Sequence, residues 1–119
     1  MNLNLNSILI GSENPDALTA YYTKLFGEPT WDEGGFKGWQ FGNGGVMVGR
    51  HDQVKGKNAS PGRILWNLET PEVKQRFDEL KAAGATVVQE PYRPGDDDMW
   101  VCTFSDPDDN YFQLVSPMA

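Results

Sequence analysis

A chain of 119 residues has room for one hydrophobic core and not for two independent domains, so a single domain is expected over residues 1–119. Ten basic residues against seventeen acidic ones leave a net charge of −7, which excludes nucleic acid as a partner, because binding a phosphate backbone needs clustered Lys and Arg. The opening Met1-Asn2-Leu3-Asn4-Leu5-Asn6 has neither a basic start nor a long apolar stretch, so the expectation is a cytoplasmic chain without secretion signal or membrane span.

Leu3 and Leu5, followed by Ile8, Leu9 and Ile10, predict a strand that ends at Gly11. A helix follows, with Asn14 as cap, Pro15 at its first position and Asp16 matching its positive end. Leu18, Tyr21, Tyr22 and Leu25 fall on one face of it, and Gly27 stops it. Residues 30–33, 38–41 and 45–50 then read as three short strands, the last two joined by a tight turn at Asn43-Gly44. The polar segment 51–62 is rich in turn formers and reads as a linker between a first module, residues 1–50, and a second, residues 63–119.

The order then repeats. A strand over 63–68 leads to Thr70 as cap, Pro71 at the first helical position and Glu72 beside it. Val73, Phe77 and Leu80 form the buried stripe, and Gly84 closes the helix. Residues 86–90, 99–104 and 111–115 complete the second set of strands. Asn14-Pro15-Asp16 recurs as Thr70-Pro71-Glu72, 56 residues on, which also brings Ile8 onto Ile64 and Tyr21 onto Phe77. An internal duplication is therefore expected.

The fold class is α+β: two βαβββ modules forming a cupped, half-barrel mixed sheet with the helices on its outer face. The two-residue period sorts the strand over 63–68. Ile64, Trp66 and Leu68 face the helix, while Arg63, Leu65 and Asn67 face the cup, as does Ser7 in the first module. A cup of this kind suits a small-molecule ligand.

Single motifs carry less. Asp106-x-Asp108-x-Asn110 opens like a calcium loop but has Tyr111 and Pro117 where Gly and Glu belong, so it reads as a hairpin turn with Asp109 in left-handed geometry. Gly42-Asn43-Gly44-Gly45 lacks the lysine and helix of a phosphate loop. Asp96-Asp97-Asp98 reads as a solvated loop or an acidic lip that attracts cations. Cys102 reads as a small buried side chain and His51 as a bystander in a loop. Of the four tryptophans, Trp66 belongs to the core by parity, and Trp39 and Trp100 are the two expected near the cup.

Three stretches carry a resemblance. Tyr21-Tyr22-x-x-Leu25-Phe26-Gly27, Phe77-x-x-Leu80-x-x-x-Gly84-Ala85-x-Val87 and the hairpin Asp106 to Leu114 together resemble the vicinal-oxygen-chelate superfamily of glyoxalase I, extradiol dioxygenases and bleomycin-resistance proteins. Metal-dependent members aim His and Glu inward from the first and later strands of each half. The resemblance places Ser7, Met47, Arg63 and Gln113 at those positions, which implies no metal and no cofactor, since a guanidinium repels a cation from its first shell.

What the resemblance implies for function is a metal-free protein that sequesters an aromatic or charged compound in a Trp-lined cup, as a homodimer and without a catalytic residue. The ligand-binding set would be Ser7, Trp39, Met47, Arg63, Leu65, Asn67, Trp100 and Gln113. The alternatives are a metal-dependent lyase, isomerase or ring-cleaving dioxygenase, and an accessory domain without a ligand.

Overall fold

A computed structural model describes residues 1–96 and 98–117. The chain divides into two compact units, the first running from Met1 to Gly56 and the second beginning at Lys57. The boundary falls inside the expected linker. Among the described residues each unit has one α-helix and one four-stranded mixed sheet, so the α+β assignment and the pair of βαβββ units hold.

In the first unit, β1 (Ser7–Ser12) leads to α1 (Pro15–Phe26), followed by β2 (Trp31–Glu33), β3 (Phe36–Phe41) and β4 (Gly44–Arg50). The strand order is β1-β4-β3-β2, with β1 parallel to β4 and the other pairs antiparallel. β1 starts at Ser7 rather than near Leu3, because β4 offers it no partner further back; Leu3 and Leu5 are exposed.

The helix starts at Pro15 and ends before Gly27, whose φ of 88° is cheap only for glycine and whose N–H donates to Thr23 O at 2.9 Å. Asn14 makes no side-chain cap. Instead Ser12 Oγ accepts the Asn14 N–H at 2.9 Å, so the turn before the helix is tied by serine. The β3–β4 loop is Gly42-Asn43, not Asn43-Gly44: Phe41 pairs with Gly44, and Gly42 takes the positive φ of 59° that the first loop position requires.

Leu18 and Tyr22 of α1 and Val46 and Val48 of β4 are all buried, and the helix packs against that strand. Tyr22 meets Trp39 edge-on at 5.8 Å, and Phe26 meets Phe41 edge-on at 5.0 Å. Each such contact contributes about 0.5–1.5 kcal/mol beyond the area it buries.

The second unit opens with a 3-10 turn, Pro61–Arg63, then runs β5 (Leu65–Glu69), α2 (Val73–Ala82), β6 (Thr86–Tyr92), β7 (Val101–Ser105) and β8 (Tyr111–Val115). Its strand order, β5-β8-β7-β6, repeats the connectivity of the first unit. A column of stacked rings holds helix to sheet: Phe77 on Phe104 at 5.4 Å, Phe104 on Phe112 at 5.3 Å, and Phe112 on Trp66 at 4.7 Å.

Two expectations for this unit are corrected. Pro71 is not the first helical residue. Thr70 Oγ1 accepts the Glu72 N–H at 3.1 Å and keeps Pro71 in the turn, so α2 starts at Val73. Strand starts and helix starts therefore recur as Ser7 with Leu65 and Pro15 with Val73, a spacing of 58 rather than 56. Arg63 and Ile64 consequently lie outside the strand, and Ile64 is 69% exposed instead of facing the helix.

The hairpin between β7 and β8 is built around buried Asp106. Its Oδ1 accepts the N–H groups of Asp108 and Asn110, both at 2.9 Å, and Asp109 takes the left-handed φ of 63°. These bonds consume the carboxylate in holding a turn, as the motif implied.

Candidate functional site

α1 covers one face of the first sheet and leaves the other open, and strand parity decides what shows there. Leu9, Met47, Gly38 and Trp31 are successive partners across β1, β4, β3 and β2, and all lie on the open face. Gly45 and Gly49 share the parity of Met47 on β4. The three glycines leave room around Met47 on this face, and two aromatic rings fill it. A methyl group on Gly38 would meet Trp31 Cε3 at 2.6 Å, and one on Gly45 would meet Trp31 Cζ3 at 2.8 Å. Gly49 likewise lies under the ring of Phe36.

The rings come from a single hairpin. Trp31 opens β2 and Glu33 closes it, Gly34 and Gly35 turn the chain with φ of 60° and 84°, and Phe36 begins β3 opposite Glu33. With Asn6 and Met47 these three side chains line a cavity of about 350 Å³. The volume is enough for a small aromatic compound. Glu33 is exposed; the neighbouring Asp32 points the other way and pairs with Lys37 at 3.2 Å.

Of the expected binding residues in this unit, Met47 lines the cavity and half-buried Ser7 lies on the same face, paired with Gly45. Trp39 does not. It pairs with Val46 on the helix side, is 3% exposed, and donates its indole N–H to Gly27 O at 2.9 Å. Sequence reasoning missed Trp31, Phe36, Glu33 and Asn6. The available signal was the glycine parity: Gly45 and Gly49 alternate with Val46 and Val48, so one face of that strand lacks bulk and needs rings from elsewhere.

On the open face of the second sheet, Asn67, Gln113, Thr103 and Gln89 are successive partners across β5, β8, β7 and β6. Gln113 Nε2 donates to Thr103 Oγ1 at 2.9 Å. The row offers amide donors and acceptors and no charge. Leu65, 36% exposed, lies one pleat away opposite Tyr111.

Arg63 sits in the 3-10 turn, exposed, and not on this face. Trp100 precedes β7, and its ring already carries the Lys74 ammonium at 3.8 Å and the Arg93 guanidinium at 5.8 Å. It lines a separate cavity of about 470 Å³ with Lys74, Phe77, Asp78, Glu90 and Pro91 beside α2. In the acidic run, Asp96 and Asp98 are exposed, Asp98 pairs with Arg93 at 3.2 Å, and Asp97 lies outside the described residues.

The comparisons with known proteins agree with this architecture. Residues 7–115 match the glyoxalase-like domain family. The chain belongs to that family. A glyoxalase/bleomycin resistance protein/dioxygenase family enzyme from Burkholderia phytofirmans PsJN superposes with a TM-score of 0.72 at 21% identity, over 98% of this chain and all (100%) of that one. TioX from Micromonospora sp. ML1 gives 0.74 at 17% identity, over 97% and 99% of the two chains. The glyoxalase/bleomycin resistance protein from Catenulispora acidiphila DSM 44928 gives 0.68 at 19%, over 95% and 96%. No curated protein matches this chain.

The glyoxalase-like fold raises the question of a divalent metal. With the repeat spacing of 58, the equivalent positions are Ser7 and Leu65 on the first strands and Met47 and Gln113 on the last. The first unit supplies a hydroxyl and a thioether, the second an alkyl group and an amide already bonded to Thr103, and neither pair fits a cation needing carboxylate or imidazole. Among the described residues no three His, Cys, Asp or Glu side chains gather as a metal site would require.

Proposed function

We propose that this glyoxalase-like protein is a metal-free small-molecule binding protein that holds an aromatic compound against the open face of its first sheet. One observation carries the reading: the cavity lined by Trp31, Phe36 and Met47, where two rings pack against glycine backbone. A ring pressed onto backbone has little freedom left to lose, so a second ring stacked on it meets a rigid, pre-ordered surface. The amide row Asn67, Gln113, Thr103 and Gln89 is a second ligand-facing surface, suited to uncharged polar groups. No step of this reading needs a catalytic group.

The test is a fluorescence titration of the whole protein with tricyclic aromatic compounds, following tryptophan quenching. Saturable quenching that is retained in Trp39→Phe and lost in Trp31→Ala supports the assignment. Quenching that survives Trp31→Ala sinks it.

Association into a homodimer belongs to the same proposal. β1 is an edge strand with Leu9 exposed, and β5 is an edge strand preceded by exposed Ile64, so both invite cover by a second copy. Sedimentation equilibrium at micromolar concentration decides between a dimer and a monomer.

A further inference from the structure

Building on that reading of the first sheet, we infer that the compound it takes is a planar organic cation, its ring laid on Trp31 and its positive charge facing Glu33. Of the groups lining the cavity, Glu33 alone carries a charge. Among the described residues Glu33 has no ion-pair partner, since the nearby lysine, Lys37, is bonded to Asp32 on the opposite side of the sheet. A carboxylate left unneutralised beside two aromatic faces repels an anionic ring and favours a cationic one.

The rings act in the same direction. Trp31 packs its six-membered ring against Gly38 and Gly45 and lines the cavity with Phe36, and the π-faces of such rings attract positive charge. A planar ligand can reach both rings at once, whereas a compact, non-planar cation touches them at a few atoms. Met47 adds a polarisable thioether at the same level.

Glu33, Trp31 and Phe36 are also fixed relative to one another. They flank the two-glycine turn and are held by the pairings Trp31 with Gly38 and Glu33 with Phe36. Charge and stacking surface are therefore presented together, at a separation set by the hairpin and not by a mobile loop.

The experiment uses three tricyclic probes on the whole protein at low ionic strength: cationic proflavine, neutral acridone and anionic anthracene-2-sulfonate. The expected order is proflavine about tenfold tighter than acridone, with the sulfonate weaker still. Glu33→Gln should remove about that tenfold advantage and leave acridone unchanged. Glu28→Gln removes the same charge after the end of α1 and should alter neither. Equal binding of the three probes overturns the inference while leaving an aromatic-binding site in place. The same holds if Glu33→Gln has no effect, or if Glu28→Gln acts as strongly and so reports only the overall charge. Absence of saturable binding by all three probes overturns the underlying assignment as well.

Discussion

The indole of Trp31 lies over Gly38, its own cross-strand partner, so closely that a methyl group on that glycine would come within 2.6 Å of Cε3. The contact makes the glycine part of the proposed binding surface although it presents no side chain. Its absence of bulk is what makes room for the ring.

Gly38→Ala should therefore destabilise the protein by about 1–3 kcal/mol through overpacking and weaken proflavine binding, both read from urea unfolding and dye titration. In a Trp31→Ala background the same substitution should cost much less, since the ring that it displaces is gone. Additive effects of the two changes would show that the ring and the glycine do not interact.

Trp39 offers the opposite case. Trp39→Phe removes a half-buried hydrogen bond to Gly27 O and should cost about 1 kcal/mol, while Trp39→Ala should cost about 3–5 kcal/mol. Neither should change the affinity for dye measured under conditions where the variant is folded. A loss of binding with stability intact would place Trp39 in the site.

Much of the fold was legible because helix stops, glycine turns and alternating strands are local signals. Gly27, Gly84 and β8 fall where the sequence predicts, and Asp109 adopts the expected left-handed turn. What failed was register. Thr70 and Ser12 bond to the backbone two residues ahead, so a proline that looks helical in one unit stays in a turn. That shift of two residues removed Arg63 from the strand.

The tryptophans failed for a related reason. Which face a strand residue takes depends on its partner, and Trp39 opposite Val46 belongs to the core while Trp31 opposite Gly38 does not.

Cys102 gives a pH dependence. It is fully buried, and loss of water around the thiolate pushes its thiol up from an ordinary 9.0 to about 11. The unfolded chain then loses this proton before the folded one does, so the folded state holds more protons between these values and stability falls as pH rises through them. Urea midpoints at about pH 8 and about pH 10 should show the decline, and Cys102→Ala should flatten it. An unchanged slope in the variant would assign the alkaline loss to other groups.

The donor set predicts indifference to metal. Zinc, nickel, manganese and ferrous ions should leave the melting temperature of the protein unchanged at equimolar excess, because Ser7, Met47, Leu65 and Gln113 offer no carboxylate or imidazole to hold them. A rise with any one of them returns a metal-dependent activity to consideration.

The hairpin from Trp31 to Phe36 sits at the margin of its sheet, with β2 joined to a single neighbour. Substitutions there leave Leu18, Tyr22 and Val48 untouched in the interior. On the proposed function, selectivity for a new compound can thus change by exchange of this short stretch, and the scaffold is open to drift in what it captures while its interior is inherited unchanged.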